Sequence, residues 1–139
     1  MMHKLIVLFL LGTTLMGCAP AYQGSFSQAP LALNGSIATD SVNRMVSLYP
    51  PAHSHFQIKV GRQESFNLEL IKSLRQKGYS VTETLNEGRP GLLISGFIDE
   101  LTKGHLYRVN LLIGTTTFAR AYKVKNGVII PLGFWVRKE

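Results

Sequence analysis

The sequence predicts an α+β fold: two helices packed on one face of a small, mainly antiparallel sheet, in the order α-β-α-β-β-β-β with a short terminal strand, behind a flexible lipidated tether. Three observations predict it. Apolar residues recur at helical spacing twice between residues 39 and 77, they alternate at strand spacing in most of the chain beyond Gly78, and the segment before residue 38 keeps neither period. At 139 residues the chain suits a single domain. A composition that is 45% hydrophobic and 17% charged, with a mean hydropathy of +0.12, excludes a disordered polyelectrolyte.

Residues 1–17 carry Lys4, an apolar run from Leu5 to Leu11, and small residues before Cys18, the three parts of a signal peptide. The run is well short of the roughly 20 residues that a spanning helix needs. The junction Leu15-Met16-Gly17-Cys18 resembles a bacterial lipobox, with Met16 bulkier than the usual residue there. The resemblance implies cleavage before Cys18 and lipidation of its thiol, the side chain nucleophilic enough to take a lipid as a thioether. An ordinary secretory signal with an incidental cysteine leaves unexplained why the apolar run, the small residue and the only cysteine coincide. That single cysteine also excludes an intrachain disulfide and any site built on several thiolates. Ala19 follows it where an aspartate would signal retention at the inner membrane, so the expected address is the outer membrane, with the domain facing the periplasm.

Cleavage removes Lys4 and takes the formal charge from +7 to +6. Residues 18–37 are uncharged and rich in Ala, Ser, Gly, Gln and Pro, which reads as a tether of at most about 65 Å. Four apolar side chains in it, Tyr22, Phe26, Leu31 and Leu33, exceed what a passive spacer needs and are candidates for docking on a partner. The globular domain is expected over residues 38–139. Thr39 or Asp40 can cap a first helix carrying Val42, Met45, Val46 and Tyr49 on one stripe, and Pro50-Pro51 stops it. His55 to Val60 alternates, as a strand with one buried face does. Glu64 to Lys77 returns to helical spacing through Phe66, Leu70, Ile71 and Leu74, with Gly78 as its stop. Strands are then expected at 79–85, 92–101, 106–113, 117–124, 128–130 and 134–137, separated by turn residues that include Gly114 and Asn126-Gly127.

Chemistry is sparse. His53 and His55 would share one side of a strand and could offer two imidazoles to a metal, yet no third ligand lies nearby in sequence. Asp99 and Glu100 are adjacent, so a strand points them to opposite faces, which suits a polar strand end better than an acid–base pair. None of the G-x-S-x-G, H-E-x-x-H or G-x-x-x-x-G-K-[ST] signatures occurs, and the sequence holds no positive reason to expect an enzyme or a cofactor. Lys72, Arg75 and Lys77 suit the negative end of the second helix. The late strands interleave Arg108, Arg120, Lys123, Lys125, Arg137 and Lys138 with Tyr107, Tyr122 and Trp135, as a nucleic-acid stacking platform would. An exported lipoprotein rarely meets DNA, so direct nucleic-acid binding is not expected and protein or headgroup contacts are the preferred use of the charge.

Across nearly its whole length the chain resembles the TrbH family, lipoproteins of the mating-pair-formation apparatus of P-type conjugative type IV secretion systems. The resemblance is carried by the lipobox ending at Cys18, by Asp40 to Val46 and Ser47 to Ala52, and by Phe66, Leu70 and Leu74 leading into Gly78-Tyr79-Ser80-Val81. Leu106 to Val109, Arg120-Ala121-Tyr122 and Pro131 to Glu139 complete it. It implies a non-enzymatic, cofactor-free outer-membrane component that helps assemble the channel with other Trb proteins. Two other readings remain at this level: a generic envelope-assembly lipoprotein of the lipopolysaccharide or barrel-assembly kind, and a cell-wall hydrolase, which would need paired carboxylates in a pocket.

Overall fold

The computed structural model describes residues 30–59, 65–85, 88 and 90–139. Its elements run α1 (Leu31–Val46), a 3₁₀ turn (Pro51–His53), β1 (His55–Lys59), α2 (Ser65–Gln76), β2 (Ser80–Thr84), β3 (Leu92–Thr102), β4 (Leu106–Ile113), β5 (Thr116–Lys125) and β6 (Val128–Lys138). The strands form one sheet in the order β2-β1-β3-β4-β5-β6. Both of its parallel pairs involve β1, and the pairs from β3 to β6 are antiparallel. The parallel β1–β2 pair needs a crossover, which α2 supplies. Both helices pack on the same face of the sheet, as the α+β expectation required.

The first helix starts earlier than the sequence indicates. It begins at Leu31, inside the expected tether, and neither Thr39 nor Asp40 caps it. Thr39 is an interior residue whose hydroxyl donates to the Gly35 carbonyl at 2.9 Å. Leu33, Ile37, Ala38, Val42 and Met45 form its buried stripe. Asn34, also buried, donates through Nδ2 to Ser65 Oγ at 2.7 Å and so ties the helix to the start of α2. Burial and this bond outweigh the Asn34-Gly35-Ser36 run, whose glycine costs a helix only about 1 kcal/mol. The folded unit therefore takes in residues 31–37, which the sequence assigns to the tether.

Strand β1 is buried on both faces at its centre, not on one. Phe56 and Ile58 face the helices, while Gln57 on the other side is covered by the connection into β3 and donates to the Gly91 carbonyl at 3.2 Å. Gly91 has φ of +126°, and a Cβ there would stand 2.5 Å from the His55 ring. Only glycine fits there. A second close approach fixes α2, because a Cβ on Gly96 of β3 would meet Phe66 at 2.5 Å.

The β5–β6 turn has Asn126 and Gly127 both at positive φ, 51° and 75°, as a tight two-residue hairpin requires. Beyond it, the two short segments expected at 128–130 and 134–137 are one strand of 11 residues. Ala121 pairs with Leu132 and Ala119 with Val136, so β6 carries two extra residues opposite Arg120. Gly133, at φ of 63°, turns the chain through this bulge, and an edge strand tolerates the missing N–H of Pro131.

Candidate interaction site

Cys18, Tyr22 and Phe26 lie outside the described residues, as does the signal peptide 1–17. Leu31 opens α1. Leu33 is 7% exposed and belongs to the core, so it is not a docking residue. The sequence offered no way to see this, because the partners that cover Leu33 are remote along the chain.

The best-built polar cluster joins α1 to β5 and β6. Asp40 Oδ2 accepts from Tyr122 Oη at 2.7 Å and from Arg120 Nη1 at 3.0 Å. The other terminal nitrogen of Arg120, Nη2, donates to the Gly133 carbonyl at 3.0 Å inside the bulge, and the guanidinium carbon lies 6.0 Å from the centre of the Trp135 ring. Burial, reinforced by the hydrogen bond and the negative charge of Asp40, pushes the Tyr122 hydroxyl far above its ordinary range, so it remains a proton donor. Arg120 Nε is buried without a partner among the described residues. A donor tyrosine, a carboxylate held by two donors and a permanent cation form a latch with no nucleophile or free base. Eighty residues separate Asp40 from Arg120. The inward i, i+2 spacing of Arg120 and Tyr122 on an otherwise apolar strand face was the available signal.

The other candidates are also engaged in structural bonds. Asp99 and Glu100 do point to opposite faces: Asp99 Oδ2 accepts from Arg108 Nη2 at 2.6 Å, Arg108 Nε at 3.1 Å and Asn110 Nδ2 at 3.0 Å. Glu100 Oε1 accepts from the Gly104 amide at 2.6 Å and from Tyr107 Oη at 3.2 Å. Burial, with Glu100 adding to it, raises the Tyr107 hydroxyl as well. His53 sits in the 3₁₀ turn and His55 in β1, so the two imidazoles do not share a strand face. Both ring nitrogens of His55 are hydrogen-bonded, Nδ1 to Ser80 Oγ at 2.7 Å and Nε2 to Thr82 Oγ1 at 3.0 Å. No group of three metal-ligating side chains occurs among the described residues.

Five of the described basic side chains are in ion pairs, Arg137 with Glu139 among them. Lys72 pairs with Glu69, Arg75 with Glu83, Arg108 with Asp99 and Arg120 with Asp40. Tyr107 and Tyr122 are buried with their hydroxyls on carboxylates, so they present no ring face on which a base could stack. Lys123, Lys125 and Lys138 are exposed. They stand beside the apolar outward side of β6, where Val128, Ile130, Leu132, Phe134 and Val136 are all exposed. No described helix is long and apolar enough to cross a membrane.

A family model described as conjugal transfer protein TrbH matches residues 20–139. No curated protein and no solved structure matches the chain.

Proposed function

Because the chain belongs to the TrbH family of conjugal transfer proteins, we propose that it is a non-enzymatic outer-membrane lipoprotein that helps assemble a conjugative type IV secretion channel. The observation that carries the reading is the extent of the family match, residues 20–139, which begins two residues beyond Cys18 of the lipobox-like Leu15-Met16-Gly17-Cys18 and includes the whole folded unit. In this reading Cys18 is the lipidated N-terminus, several acyl chains hold it in the bilayer, and the domain faces the periplasm. The non-enzymatic part is supported by the part-buried polar side chains of the latch and of the Asp99 and Glu100 clusters, which are engaged in holding elements together.

Partners in this reading are other proteins of the transfer channel. Of the four docking candidates Leu33 is assigned to the core and Leu31 opens α1, so Tyr22 and Phe26 are the two that lie in the tether. Loss of the gene from its plasmid is expected to abolish or sharply reduce DNA transfer, with restoration by the wild-type copy. Transfer at the normal frequency without the gene would defeat the conjugation reading. The anchor is checked separately, by mass measurement of the protein extracted from membranes: an intact leader, or an unmodified Cys18 at the N-terminus, would defeat it.

A further inference from the structure

The outward face of the sheet along β6 carries a strip that the latch and the core leave unused. Residues paired across an antiparallel ladder share a face, and Lys125 pairs with Val128, Lys123 with Ile130 and Thr117 with Lys138. The pair between the first two, Val124 with Ile129, packs against the core, so its neighbours on either side point away from it. The two-residue bulge lifts Phe134 out until it is 93% exposed, between Leu132 and Val136, which is 64% exposed. Five successive outward positions of one strand are thus apolar and open to solvent. Contiguous apolar surface of this kind marks a contact site, unlike the scattered exposed residues of an ordinary surface.

Charge identifies the occupant. Lys123 and Lys125 flank one end of the strip and Lys138 the other, and none of them forms an ion pair among the described residues. Asp99, the one carboxylate among the described outward residues of β3 to β6, is neutralised by Arg108. An apolar strip bracketed by unpaired lysines is complementary to a surface with anionic headgroups above an apolar interior. Position agrees: twelve residues, 19–30, separate Cys18 from the start of α1, a reach of at most about 40 Å. Edge-to-edge pairing with a second copy is disfavoured, because Pro131 and the bulge interrupt the hydrogen-bonding edge of β6.

We propose that the outward face of β6 is a membrane-docking face, on which Phe134 and its apolar neighbours enter the headgroup region of an anionic bilayer while Lys123, Lys125 and Lys138 meet the phosphates. The domain then lies against the membrane that holds it, a geometry that rests on the anchored reading of Cys18. Each lysine brought to an anionic surface strengthens the contact about fivefold. The test uses the full chain purified from membranes and carrying a polarity-sensitive fluorophore on Val136→Cys. It is reconstituted with vesicles of phosphatidylcholine alone or of phosphatidylethanolamine with phosphatidylglycerol. Emission is expected to shift to the blue only with the anionic vesicles, and the shift should be lost at high salt. The exposed substitutions Lys123→Glu, Lys125→Glu and Lys138→Glu together should lower the docked-to-undocked ratio by at least about 100-fold. Equal emission in both vesicle types would overturn the proposal. So would a shift that follows protein density on the vesicle, which means a second copy, or one that appears only in native envelopes, which means a protein partner. Failure to float with phosphatidylcholine vesicles would defeat the anchor alone, since the response to anionic vesicles still judges the face.

Discussion

Leu33 and Tyr122 show how single side chains in this protein take their roles from residues far away in sequence. Leu33 sits in an uncharged stretch that has every mark of a spacer, yet it is part of the core. Leu33→Ala is expected to lower stability by about 2–5 kcal/mol, read as a drop in melting temperature, since a buried leucine loses both transfer energy and packing. Tyr122 makes a prediction about pH. Its hydroxyl is held well above the ordinary value of 10.0, first by burial and then by Asp40. The unfolded chain loses this proton near the ordinary value and the folded chain does not, so the folded protein binds more protons above it. The stabilising contribution is therefore complete below pH 10.0 and is lost as pH rises beyond it. Tyr79 and Tyr107, both raised chiefly by burial, act in the same direction. Tyr122→Phe, which removes a hydrogen bond to a carboxylate, is expected to cost about 1.5–3 kcal/mol near neutrality and to flatten part of the alkaline fall in melting temperature.

At the scale of elements, α1 decides where the domain begins. A chain starting at Ala38 would lack residues 31–37, nearly two turns, and with them Leu33, Ile37 and the Asn34–Ser65 bond. Each large apolar side chain removed forfeits about 1.5–3 kcal/mol of burial, against a total stability of about 5–15 kcal/mol. A chain starting at Pro30 is thus expected to melt cooperatively, and one starting at Ala38 to melt far lower or without a cooperative transition, as thermal circular dichroism would report. Other elements were legible because their signals are local. The stripe of Phe66, Leu70, Ile71 and Leu74 and the Asn126-Gly127 turn each predict their own conformation. The features that escaped are non-local: the cover over Gln57, the bulge that joins two apparent strands into β6, and the bond from Asp40 to Arg120. Nothing in a window of ten or so residues distinguishes a spacer from a helix whose apolar face another element will cover.

For the whole molecule, the earlier start of α1 shortens the link between the proposed lipid and the domain to residues 19–30, and this changes what the tether can do. A link of that length cannot carry the domain far from the bilayer. In the proposed reading its role in contacts rests on Tyr22 and Phe26, whose aromatic rings are costly in a spacer and useful on a partner. Confinement at the membrane raises the effective concentration of such a short segment, so two side chains can suffice where a free peptide would need more. Replacing Tyr22 and Phe26 together by Ser is expected to reduce plasmid transfer at least about tenfold, the loss that about 1.4 kcal/mol of binding represents when docking limits transfer. Both residues precede the first described element, and melting temperature and membrane fractionation are expected to match the wild type. Transfer at the wild-type frequency would rule out the tether as a contact and leave channel assembly to the folded domain.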